Sequence, residues 1–204
     1  MQLKFQRAIA KSSTELWWQR FRPCCWYLSH LSLVFGYIMF LFYALVWESG
    51  NLVDLPTKKI GFYNFCLWNK EAGKLHCFLI GDLEKMGVSK LALVLSRVCV
   101  YTTPVLCLFG STTVSQALWF KDKGGWKLAR ILLAVCVLIL FFGLALFIFQ
   151  TQKWVQVSDL SVAFVALAGA HILMLFHLII IVLYLAQFEH TLAPKGLLPE
   201  KGIP

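Results

Sequence analysis

Four apolar runs dominate the chain, at 26–47, 91–120, 128–149 and 160–188. A helix needs roughly 20 residues, at about 1.5 Å each, to cross the hydrocarbon core of a bilayer. The first and last runs contain no Asp, Glu, Lys or Arg, the third holds only Arg130 near its start, and the second only Arg97. Arg97 lies near the beginning of its run, where a long side chain can snorkel to the membrane surface. Runs of this length exceed a buried strand or a signal-peptide core. Composition agrees: 59% of residues are hydrophobic and 14% charged, against roughly a quarter charged in soluble domains. Too little polar side chain is present to cover a water-facing surface, so lipid must cover much of it. The net charge of +9 does not point to nucleic acid, because the basic residues sit in short segments between apolar runs and form no basic polar face.

The expected fold is an all-α membrane protein, a single four-span domain over residues 1–204: a left-handed four-helix transmembrane bundle with a small disulfide-clasped β-hairpin or sheet. Orientation follows from the basic residues. Lys4, Arg7, Lys11, Arg20 and Arg22 precede the first run, and Lys121, Lys123, Lys127 and Arg130 lie between the second and third or just inside the third, whereas only Lys153 lies between the third and fourth. The positive-inside rule then places both termini, residues 1–25 and 189–204, in the cytoplasm and the loop 48–90 outside, in a secretory-pathway or plasma membrane. The start lacks the early apolar core of a cleaved signal peptide, so the first run reads as a retained signal anchor. Phe5, Ile9, Leu16 and Phe21 among the basic residues suit either an amphipathic helix on the inner leaflet or a topogenic tail, and the segment from Thr191 reads as a flexible tail. Trp17, Trp18, Trp26, Trp47, Trp119, Trp126 and Trp154 fall near span ends, where the indole suits the headgroup level, while Trp68 lies mid-loop and needs another explanation.

Within the outer loop, aromatic and aliphatic residues flank the polar stretch 69–73, the pattern of two strands joined by a tight turn. A hairpin centred on Glu71 and Ala72 sets Cys66 opposite Cys77. Outside the cytoplasm such a pair oxidises, and closing a loop of this size stabilises by about 3 kcal/mol. The alternatives are two reduced thiols or a metal site shared with His76. Strand alternation from residue 62 sends Phe62, Asn64, Cys66 and Trp68 to one face and Tyr63, Phe65 and Leu67 to the other. Trp47, Phe62, Phe65, Leu67 and Trp68 are therefore the candidate interaction surface of the loop. Cys99, Cys107 and Cys136 read as small buried hydrophobes, and Cys24 with Cys25, beside the first span, as candidate palmitoylation sites.

Four spans, Trp47, the run Cys66-Leu67-Trp68, then Cys77 and Arg97 resemble the claudin superfamily, although Cys66 here precedes the loop Trp where in claudins both cysteines follow it. A nearer likeness lies in residues 42–56 and 60–69, which resemble the transmembrane protein 140 family. That resemblance implies an integral four-span membrane protein without a catalytic site.

The polar groups inside the spans, His30, Arg97, His171 and His177, are the default functional candidates of a membrane protein. His171 and His177 are six residues apart and do not share a helix face, which disfavours a two-histidine metal site. Neutral histidines bonded across helices explain them as well as a proton relay, and no Asp or Glu lies within a span to take a proton. No metalloprotease, hydrolase, nucleotide or zinc-ribbon motif is present, so neither an enzyme nor a cofactor is expected. Ser32 with Gly36, and Ala166 with Ala170 beside Gly169, allow helices to approach closely. The expected function is a non-enzymatic scaffold, adhesion or lateral-interaction partner of other membrane proteins or of itself, embedded in the lipid bilayer. The alternative is a channel or transporter component or auxiliary subunit.

Overall fold

In lipid a helix is the one way an unpaired apolar run satisfies its own N–H and C=O groups. Each of the four runs forms one. The computed structural model describes residues 25–70, 72–120 and 122–192, so the expectations for residues 1–24, Cys24 and Trp17 and Trp18 among them, and for 193–204 lie outside the described residues. The long helices are α1 (Cys25–Trp47), α3 (Lys90–Phe120), α4 (Lys123–Thr151) and α5 (Val162–Leu192), with a short α2 (Ile80–Lys85) leading into α3. All four are long and apolar enough to cross a membrane, which makes the chain a multi-pass membrane protein.

Helix ends differ from the hydropathy limits where local chemistry intervenes. Helix α4 starts before residue 128 because the Asp122 carboxylate caps it, accepting from Gly124 N at 3.0 Å and Gly125 N at 2.9 Å. Helix α5 starts after residue 160 because Leu160 bridges Val53 of the sheet and Ser161 Oγ accepts from Ala163 N at 3.2 Å. At its other end α5 carries Thr191 and Leu192, which the hydropathy pattern assigns to the tail. The last five residues of α1, Tyr43–Trp47, widen into a π turn. Ser49 and Gly50 then take positive φ (52° and 66°) and reverse the chain into the sheet.

That sheet is an antiparallel meander, β1 (Asn51–Leu55), β2 (Lys58–Gly61), β3 (Phe65–Asn69) and β4 (Lys74–Cys77), in the order β1-β2-β3-β4. The expected hairpin is β3–β4, with Cys66 opposite Cys77 and the two joined by a disulfide. Strands β1 and β2 were not expected as a pair. Their turn is Pro56-Thr57, where proline presets the backbone and needs no N–H partner. The outer edge of β1 is closed by the segment leading into α5, with Ser161 N donating to Leu52 O at 2.9 Å, whereas every residue of β4 is exposed.

One apolar core runs from the bundle into the sheet: Leu41, Val100, Leu140, Leu167 and Ile181 are buried among the helices, and Leu52, Val53 and Ile60 beneath the strands. Helices α3 and α4 pack most closely, for a Cβ on Gly143 would stand 2.8 Å from Val100 Cγ2, and Ser96 Oγ donates to Gly143 O at 2.7 Å. Of the small residues singled out by spacing, Ala166 and Ala170 are buried, Gly36 faces Leu173 and Gly169 faces Phe40, so these serve α1–α5 packing. Ser32 is exposed and bonds back to Ser29 O.

Candidate interaction surface

The sheet is held on the helix ends by residues the loop sequence does not reveal as partners. Arg97, on the first turns of α3, donates through Nε at 3.0 Å and Nη2 at 2.6 Å to Phe62 O, and its guanidinium lies 4.1 Å over the Tyr63 ring. It therefore clamps the sheet instead of simply snorkelling to water, and both the charge and a backbone carbonyl are satisfied in one contact. Asn51 is buried and joins three segments: its Nδ2 donates to Glu48 O at 2.9 Å, its Oδ1 accepts from Asn64 Nδ2 at 3.0 Å, and its carbonyl accepts from Ser161 Oγ at 2.8 Å. Lys58 Nζ lies 2.5 Å from Asp159 Oδ2 and 3.1 Å from Trp154 O. The Lys58 ammonium, and after it the Gln156 N–H, hold the Asp159 carboxyl below the ordinary carboxylate range.

These anchors change the face assigned to several loop residues. Gly61 N donates to Asn64 O at 2.7 Å, closing a turn between β2 and β3, so the strand begins at Phe65 and the alternation is reset. Phe62 and Phe65 are in consequence both buried (4% exposed each) and are not part of an open surface. The Phe62 ring packs on Phe147 at 4.9 Å, and the Phe65 ring meets Trp154 edge-on at 5.5 Å. Leu67 is half-buried opposite His76, while Trp68 (46% exposed) pairs across the hairpin with exposed Leu75. Trp47, at the end of α1, is 80% exposed. From the end of α1 to the end of β4 the exposed large apolar residues are thus Trp47, Tyr63, Trp68 and Leu75, of which Tyr63 and Leu75 were not in the sequence-based surface. Among the tryptophans near span ends, Trp126, in the first turn of α4, is buried and turned into the bundle, where it packs on His30 and Tyr184.

The interior of the bundle also holds a side-chain contact between the first and last spans. His30 Nδ1 of α1 and His177 Nε2 of α5 are 2.8 Å apart, both rings fully buried, with Trp26, Trp126 and Tyr37 around them. One of the facing nitrogens donates and the other accepts, while the outer nitrogens, His30 Nε2 and His177 Nδ1, are buried without a hydrogen-bond partner. Spacing along a single helix could not reveal it, since the partners lie 147 residues apart. His171 stands apart from the pair, beside Phe141. Cys107 and Cys136 are buried thiols, Cys99 is partly buried, and Cys25 is exposed at the start of α1, the end away from the sheet. Among the described residues no three His, Cys, Asp or Glu side chains are grouped to share a metal ion.

Four apolar helices capped at one end by a disulfide-clasped meander define a small multi-pass membrane protein whose polar residues join its parts to one another. A model of the TM140 protein family matches residues 19–193, a stretch that includes every helix and strand described above. The chain belongs to that family.

Proposed function

We propose that the chain is a non-enzymatic membrane protein that acts through association with other membrane proteins, laterally or across an intercellular gap, using the exposed face of its sheet. In this reading the arrangement is claudin-like, with both termini cytoplasmic and the sheet on the outer side of a secretory-pathway or plasma membrane. The carrying observation is the exposed cross-strand pair of Trp68 and Leu75. Large apolar side chains outside the hydrocarbon belong at a contact, and tryptophan is enriched at the energetic centres of interfaces. The disulfide two residues along the hairpin from them holds the strands together, so little order has to be gained on binding. The experiment is proximity labelling in cells with wild type and the Trp68→Ser/Leu75→Ser double variant. The expected result is loss of a defined set of neighbours at equal abundance with the disulfide intact; an unchanged neighbour set would refute the reading.

A second reading, a channel or transporter component or auxiliary subunit, draws on the His30–His177 pair inside the bundle. It requires a solute flux or conductance that changes in His30→Phe or His177→Phe.

A further inference from the structure

A groove of about 510 Å³ runs between α4 and α5 in the half of the bundle nearer the sheet, and it is independent of the surface considered above. Its size lies within the roughly 300–1,000 Å³ typical of small-molecule sites. Ala145 of α4 and Ala168 of α5 leave the space, and Phe149 and Phe164 are among its walls. Two polar side chains interrupt the apolar lining, Gln152 beyond the last turn of α4 and His171 on α5. They lie far apart along the groove. The His171 ring is 6.1 Å from that of Phe141, eleven residues before Gln152, which sets it about 16 Å below Gln152 at the helical rise. Half of a bilayer's hydrocarbon core is about 15 Å. Gln152 therefore lies at the level of the headgroups and His171 near the midplane.

His171 is the unpartnered polar group that lines the groove. Its Nδ1 is sealed in the protein without a hydrogen-bond partner, which leaves Nε2 as the ring nitrogen able to meet whatever occupies the groove. A neutral imidazole carries a donor and an acceptor, and a donor facing hydrocarbon is costly unless an acceptor comes to it. A phospholipid chain ends in a methyl group at this depth and offers none. We propose that the groove binds a sterol hydroxylated at both ends, with its ring hydroxyl beside Gln152 and its side-chain hydroxyl on His171. The rings and side chain of a sterol together span this distance. The fused rings also lie flat against paired alanines, and a rigid body loses less freedom on binding than an acyl chain.

The test uses the full-length chain in phosphatidylcholine nanodiscs with a diazirine analogue of 25-hydroxycholesterol as photoprobe. Expected are saturable labelling of peptides from 141–172 and competition by 25-hydroxycholesterol at least ten-fold stronger than by cholesterol. Ala145→Phe, at an exposed position, should abolish labelling, with Ala168→Phe as the second filling variant. His171→Phe should keep labelling and bring the two competitors within about two-fold of each other, because only the contact to the buried hydroxyl is lost. Three outcomes each overturn the proposal: labelling that does not saturate, equal competition by cholesterol or added phosphatidylcholine, or an unchanged preference in His171→Phe.

Discussion

At the scale of single residues, the joint between sheet and bundle rests on charged groups bonded to backbone. Arg97 bonds one carbonyl twice and covers one ring, so Arg97→Ala removes two charge-assisted bonds and leaves Phe62 O without that donor. Hydrogen bonds to charged groups contribute about 1.5–3 kcal/mol. The expected result is a destabilisation of that order with loss of amide protection at 61–64, read by hydrogen exchange on the full chain in detergent; Arg97→Lys, which lacks the planar fork, should recover less than half. That a cation sits near the start of α3 is legible in the sequence. Its partner is not, because a main-chain carbonyl 35 residues away carries no side-chain signature. Asp159 gives a pH-dependent counterpart. Its folded pKa is depressed, so its contribution is present above the unfolded carboxylate value of about 3.9 and is lost as pH falls through the lower folded value. Hydrogen exchange at 156–161, corrected for intrinsic rate, should show protection weakening below about pH 4 in wild type, and Asp159→Asn should flatten that dependence.

At the scale of elements, the β3–β4 hairpin is the part of the sheet that the sequence discloses, and its disulfide should matter beyond local order. Cys66 and Cys77 close a loop of separation 11, and removing that constraint from the unfolded chain costs about 3 kcal/mol. Cys66→Ala/Cys77→Ala should lower stability by that order in thermal unfolding, with β4, exposed throughout, losing amide protection first. Strands β1 and β2 escape notice for a physical reason. In β1 three consecutive residues, Asn51, Leu52 and Val53, are buried, because its pairing with β2 shifts register between Asn51 and Val53 and the segment leading into α5 closes its other edge at Leu160, so no polar–apolar alternation is written there. The reset at 62–64 hides the facing of Phe62 and Phe65 in the same way, since alternation is readable only within an unbroken strand. Among the helices, Gly143 is the position least able to accept a side chain. A methyl there meets Val100 Cγ2 at 2.8 Å, Cys99 Cβ at 2.9 Å and Ser96 O at 3.2 Å. Gly143→Ala should therefore destabilise by about 1–3 kcal/mol despite alanine's better helix propensity, as overpacked sites do. Unfolding of the full chain in detergent measures it directly.

At the scale of the whole molecule, run length alone discloses the four helices, because the bilayer fixes how much apolar chain a span needs. How they sit against one another is not written in any single run: the His30–His177 contact joins the first and last helices through two residues that each read as isolated polar interruptions. Orientation is the remaining global property, and the fold offers a clean means of testing it. Helix α1 begins at Cys25 and ends by feeding the sheet, so Cys25 and the Cys66–Cys77 pair lie on opposite sides of a membrane that the helix crosses. The basic segments before α1 and between α3 and α4 favour the cytoplasm for the Cys25 side. In a variant whose remaining cysteines are Cys25, Cys66 and Cys77, a membrane-impermeant maleimide applied to intact cells should leave all three unmodified. Reduction with an impermeant phosphine should then expose Cys66 and Cys77 alone, and Cys25 should react only after permeabilisation. Should Cys25 stay blocked at that stage and become reactive after hydroxylamine, it carries a thioester-linked acyl chain, consistent with its exposed place at the end of a span. Labelling of Cys25 in intact cells would invert the molecule, put the sheet in the reducing cytoplasm where its disulfide would not persist, and end the case for an outer adhesive surface.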